Sequence, residues 1–307
     1  MKRLLRSTRI VAVFASTLTV GCLASEAPVE RSDTGRVQIN VEPIDLSTLN
    51  SSPASISRVL SMPFVELAER FPAFSFESET EMNFTSGDKT FRQVDTHKYT
   101  EDDDQHFHAS IRSADTKEIN VWLKDGVLYV RHGKGQTRGT ARRDIKIERW
   151  GELALSPVSQ TFELFYPQLR LELAGDESFE GKPVKRFRVE LDPEAQLAKD
   201  TYTLSGVDTR LAPVEGWRER TRPIDVSGFV LIEQETGVVV QSSFRGKLEL
   251  QGQDADANAT ELTVRLDATL RRNQEPISLD SLHHVVDEVR RARPKKGALE
   301  FFEVPTE

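Results

Sequence analysis

Few residues in this 307-residue chain are of types that do chemistry. There is one cysteine, Cys22, and three of the six histidines, His97, His106 and His108, sit close together around the acidic run 101–104. Three imidazoles beside carboxylates could ligate zinc or copper. Whether they meet depends on loop length. If "EDDD" forms a four-residue loop, Thr100 faces Gln105, His97 faces His108 and Tyr99 faces His106. A five-residue loop dissolves that pairing. Phe107 and Ile111 claim the inner face of the strand, so the histidines read as a polar outer face and no metal is assigned. His283 and His284 are neighbours that point in different directions on a helix and read as surface. Carboxylates are abundant, but none falls in a motif that predicts a paired acid and base. No nucleophile-elbow motif occurs. The glycines of "GKGQTRG" lack the Gly-Lys-Ser/Thr and helix start of a phosphate loop. No catalytic residue, no cofactor and no enzymatic reaction is therefore assigned.

The cysteine has a better use. Lys2, Arg3, Arg6 and Arg9 open the chain without an acid, residues 10–21 ("IVAVFASTLTVG") are apolar or small, and Gly21 precedes Cys22 directly. The apolar run is too short to span a bilayer. This stretch resembles a bacterial lipoprotein signal, with Leu18 one place earlier than the usual leucine and Thr19 in its place. The resemblance implies cleavage before Cys22, diacylation of its thiol and acylation of the new amino terminus. Several acyl chains, at about 0.8 kcal/mol per buried CH₂, anchor firmly where one would not. Leu23 and Ala24 follow the cysteine rather than aspartate, which by the same resemblance implies the periplasmic side of an outer membrane rather than the inner one.

Loss of residues 1–21 removes four basic groups and no acid, moving the net charge from −8 to about −12. So acidic a domain is a poor partner for nucleic acid. One cysteine allows no disulfide within the chain, so packing alone must hold the core. Sixteen Phe against four Tyr place most aromatic mass inside.

The elements follow from periodicity. Residues 22–57 are rich in Ser, Pro, Glu and Asp and read as a tether. "SMPFVELAERF" predicts a short helix over 63–71, and "SPVSQTFELFYPQ" a second that is capped by Ser156 and starts at Pro157. Residues 74–132 alternate at period two through five strands joined by short turns, the clearest at Asp125–Gly126. "GKGQTRGTARR" reads as a loop, and Gly206 to Pro223 as a polar insertion containing "GWRERTR". "KPVKRFRVELD", a hairpin turning at 235–237, and "ATELTVRLDATLRR" supply further strands. "SLDSLHHVVDEVRRAR" predicts a closing amphipathic helix. The expected class is α+β, mostly β: a long curved antiparallel sheet, a half-open barrel, wrapped over a few helices.

This layout resembles the lipoprotein-carrier superfamily of LolA, LolB and the mycobacterial LppX/LprG type. The features that carry it are the 63–71 helix before a long meander, "EINVWLKDGVLYVRH", "GKPVKRFRVELD" and "GFVLIEQETGVVVQSSFRG". The resemblance spans roughly 60–275 and implies a cavity for acyl chains. Phe74, Phe76, Phe84, Phe107, Leu262 and Val264 are the expected lining. The expected organisation is a leader 1–21, acylated Cys22 with a tether to 57, one domain over 58–294 and a tail 295–307. The expected partners are a membrane through Cys22 and a lipid or acyl chain, with no protein partner specified. The alternative is an interaction or structural lipoprotein of the same fold with a filled core.

Overall fold

Strands form here where side chains alternate. In Phe74–Ser86 (β1), Phe74, Phe76, Ser78 and Thr80 are buried on one face while Glu77, Glu79 and Glu81 take the other. In Thr260–Arg272 (β11), Leu262, Val264, Leu266, Ala268 and Leu270 are all buried. The computed structural model describes residues 39–50, 52–86, 89–113, 118–140, 148–166, 168–192, 221–250, 260–279 and 285–287.

Before β1 lie a 3₁₀ turn, Leu46–Asn50, and two helices, Pro53–Leu60 (α1) and Phe64–Arg70 (α2). The meander continues as Lys89–Glu101 (β2), Phe107–Arg112 (β3), Ile119–Lys124 (β4), Val127–His132 (β5) and Thr137–Thr140 (β6). Helix Glu148–Glu163 (α3) crosses to a second run: Leu169–Phe179 (β7), Lys182–Leu191 (β8), Thr221–Glu233 (β9) and Val239–Leu250 (β10), then β11. A three-residue strand, Val285–Asp287 (β12), follows. All belong to one open sheet in the order β12-β6-β5-β4-β3-β2-β1-β11-β10-β9-β8-β7. Every pairing is antiparallel except β12 with β6. The curved, mostly β architecture expected from the sequence is what forms. The helices lie against one face, α3 touching β1, β2, β3 and β11, and the core lies between them and the sheet.

Four expectations need correction. The tether does not run to residue 57. Ser52 caps α1 by accepting from Ser55 N, and Leu46, Leu49, Ile56, Val59 and Leu60 are buried in the core. Serine-rich composition hid an apolar stripe. Second, Pro157 does not start α3 but sits inside it. A proline there leaves the carbonyl four residues back without its helical donor. Ser156 Oγ donates to that Leu153 carbonyl at 2.9 Å, and His97 Nδ1 donates to the Ala154 carbonyl at 3.2 Å. The lost hydrogen bond is thus replaced by side chains, and the helix continues. Third, the basic loop after β5 contains β6, with Thr137 fully buried. Fourth, Val285–Asp287 of the expected closing helix is a strand beside Thr137, Arg138 and Gly139. Residues 280–284 and 288–293 of that segment, Cys22 and most of the 206–223 insertion lie outside the described residues.

Helix α3 seats closely at two glycines. A Cβ on Gly151 would overlap the Phe64 ring of α2, and one on Gly246 of β10 would overlap the Phe165 ring just past α3. Phe165 therefore reaches down to the sheet and meets Phe244 edge-on at 5.8 Å, while Phe162 stacks on Phe244 at 4.8 Å.

Candidate functional site

The β2–β3 connection is five residues, 102–106, because Glu101 pairs with Phe107. Thr100 then faces His108, Tyr99 faces Ala109 and His97 faces Ile111. The three histidines part company. His97 points inward to α3, where burial lowers its pKa, opposed by Asp95 and by the Ala154 and Leu153 carbonyls. His108 stacks on Trp122, its cross-strand partner, at 4.6 Å and contacts Asn120 Oδ1 through Nε2 at 3.1 Å. Burial lowers its pKa also, partly offset by the Asn120 bond.

His106 stays in the loop with Asp102 and Asp104, their ligating atoms within 4.8 Å of one another. Asp102 is already committed. Its Oδ1 accepts from the backbone N–H of Asp104 and His106, and its Oδ2 from Ile277 N–H at 2.9 Å and His106 Nδ1 at 3.2 Å. That carboxylate organises the loop and ties it to the segment after β11.

The six residues expected to line a cavity are placed otherwise. Phe74, Phe107, Leu262 and Val264 are fully buried in the core and Phe76 nearly so, while Phe84 is half-buried near the far end of β1. Phe64, Phe74, Tyr99 and Phe107 form a continuous group of rings, with Tyr99 at 5.5, 5.4 and 5.5 Å from the other three. This part of the concave face is filled. Of the six, Phe76 lines a cleft.

That cleft has a volume of about 170 Å³. One wall is the end of α1 with its link to α2, including Leu60, Met62 and Phe64. A second is the α3 face carrying Leu155, Ser156 and Val158. The floor is sheet: Val240 and Ser242 of β10, Ala268 and Leu270 of β11 and Phe76 of β1. Sequence reading missed most of this lining, although Leu155 and Val158 share a helical face and Val238 and Val240 alternate toward the core. One signal was available. Ser242 interrupts the buried parity of Val238, Val240 and Phe244.

Ser242 belongs to a row of small residues. It lies opposite Ala268, which lies opposite Ser78, which lies opposite His97. Ser242 is 1% exposed and Ser78 4%, and neither Oγ has a hydrogen-bond partner; nor does Thr80 Oγ1 in the next row. A buried, unpaired hydroxyl costs about 1–3 kcal/mol, so these groups lie where the chain leaves polar contact unmade. The cleft walls can enclose an apolar group and offer it a hydroxyl.

No family model matches the chain, and no curated protein matches it. Solved structures do. A DUF1329 family protein from Desulfovibrio piger is 13% identical, with a TM-score of 0.23 over 76% of this chain and 98% of that one. A LolA superfamily protein from Nitrosomonas europaea is 12% identical, with a TM-score of 0.21 over 71% and 95%. The Mycobacterium tuberculosis lipoprotein LppX is 13% identical, with a TM-score of 0.20 over 66% and 89%.

Proposed function

We propose that this chain is a cell-envelope lipoprotein, held to the membrane through acylated Cys22, that binds or transfers a hydrophobic ligand without chemical conversion. The observation that carries this reading is the apolar cleft between the α1–α2 link, α3 and the floor of β10, β11 and β1. Its volume is close to the ~150 Å³ of an engineered apolar cavity that takes benzene. It suits one chain end or ring. The lining is mostly aliphatic, as ligand sites of this kind are. Among the described residues, no helix is long and apolar enough to cross a membrane.

The test is native mass spectrometry of the full chain carrying Cys22→Ser, before and after solvent extraction. An adduct of lipid mass that extraction removes supports binding and names the ligand class. A clean apo mass, with no gain on adding phospholipid, ends the carrier reading.

A second reading has its own observation. Phe74, Phe107, Leu262 and Val264 pack solidly where a large acyl cavity would be. A filled core suits an envelope interaction module whose surface does the work. Affinity capture from envelope extracts that survives blocking of the cleft would favour it.

A further inference from the structure

The cleft's lining is selective in charge and in hydrogen bonding. Among the described residues that line it, Glu152 is the one ionisable side chain, and it is exposed. No Lys, Arg or His is among those described lining residues. A carboxylate or phosphate brought there would be desolvated with no counter-charge and with Glu152 repelling it, which costs several kcal/mol. At the floor, Ser242 Oγ is enclosed and unpaired. The lining is apolar apart from Glu152, Gln241, Thr269 and Ser61, Ser156, Ser159 and Ser242, and the unsatisfied hydroxyl at its floor calls for a partner.

Building on the ligand-binding reading above, we infer that the ligand is an uncharged amphiphile. It enters with a hydroxyl or carbonyl oxygen toward Ser242 and its apolar body along Leu60, Met62, Leu155 and Val158. Free fatty acids and phosphate-headed groups are excluded from the floor by the same lining that admits an alcohol or ester. The competing occupant of the Ser242 position is a water molecule, which would satisfy the hydroxyl without selecting any ligand.

The experiment is calorimetric titration of the full chain carrying Cys22→Ser at neutral pH with toluene, 1-octanol and octanoate. Toluene reports the apolar cleft alone. 1-Octanol is expected to bind at one site at least about tenfold more tightly than octanoate, since the latter buries an unpaired charge. Ser242→Ala is expected to weaken 1-octanol about three- to tenfold, the worth of one hydrogen bond, and to leave toluene unchanged. Glu152→Gln is expected to narrow the gap between 1-octanol and octanoate. Toluene binding with octanoate as tight as 1-octanol overturns the charge selectivity. Toluene binding with no effect of Ser242→Ala on 1-octanol assigns the serine to water and overturns the oxygen contact. If neither toluene nor 1-octanol binds, the ligand-binding reading itself fails.

Discussion

Glu233 is a buried carboxylate paired with Arg272. It is 1% exposed at the end of β9, and Arg272 holds both its oxygens, at 2.9 and 3.2 Å, while the guanidinium lies 4.1 Å above the Phe71 ring. Thr236 Oγ1 adds a third hydrogen bond at 2.7 Å. Removing one member of such a pair strands a buried charge, so Arg272→Ala is expected to cost about 3–5 kcal/mol in urea unfolding. Arg272→Ala combined with Glu233→Gln should recover part of that loss. His97 and His108 set the acid limit. Burial holds both below their ordinary 6.5, so the unfolded chain takes up protons before the folded one does. Stability is therefore complete above about pH 6.5 and falls as pH drops below it. Melting temperature followed from pH 7.5 to 5 should decline, and the decline should be shallower in His97→Asn/His108→Asn. Little of this was legible beforehand. His97 looked like a surface residue because its packing partner is the carbonyl ladder of a helix broken by a proline more than fifty positions away, which alternation within one strand does not reveal.

At the scale of elements, strands were easier to foresee than helix ends. A period of two identified β1, β2 and β11, and Asp125–Gly126 placed the β4–β5 turn correctly. The errors came where tertiary contact overrides local preference. Pro157 looked like a start because prolines commonly begin helices, but Ser156 and His97 make an interior proline tolerable. The 46–57 segment looked like part of a tether because it is rich in serine, yet its Leu46, Leu49 and Ile56 are buried in the core. The cleft was misplaced for a related reason. Strand parity says which residues face inward, and only the seating of α3 decides which of them are covered. That seating rests on Gly151 and Gly246. Gly151→Ala forces the Phe64 ring aside and is expected to cost about 1–3 kcal/mol by thermal denaturation, the usual penalty of overpacking. Because Phe64 also walls the cleft, the same variant should alter toluene binding.

At the scale of the whole molecule, β1–β6 and β7–β11 are two antiparallel runs joined edge to edge by the long β1–β11 pairing and spanned by α3. Neither run covers its inner face by itself. Urea unfolding is therefore expected to be one transition, coincident by far-ultraviolet circular dichroism and by tryptophan fluorescence, to which Trp122 in the first run and Trp150 in α3 contribute two of the three tryptophans. Separated transitions would show that the runs are independent. The anchor has its own test. Cys22→Ser is expected to move the protein from the membrane pellet to the soluble fraction after cell lysis, and retention in the pellet would mean that something besides lipid holds it.

The β1–β11 pairing carries a hazard for the nascent chain. β1 acquires β2 at once, but its other edge must wait until Arg272 and its neighbours arrive from the far end of the sequence. For that interval, thirteen residues with an apolar side stand open to any passing strand. Glu77, Glu79 and Glu81 line the opposite side of the same strand, so two copies approaching in register bring like charges together. Glu77 pairs with Lys98 and Glu81 with Arg92 on the outer face, where such pairs contribute about 0–1 kcal/mol each, so the row's larger effect is as a gatekeeper against aggregation while the sheet is incomplete. Substituting all three by glutamine should leave the melting temperature nearly unchanged and lower the yield of soluble protein on refolding.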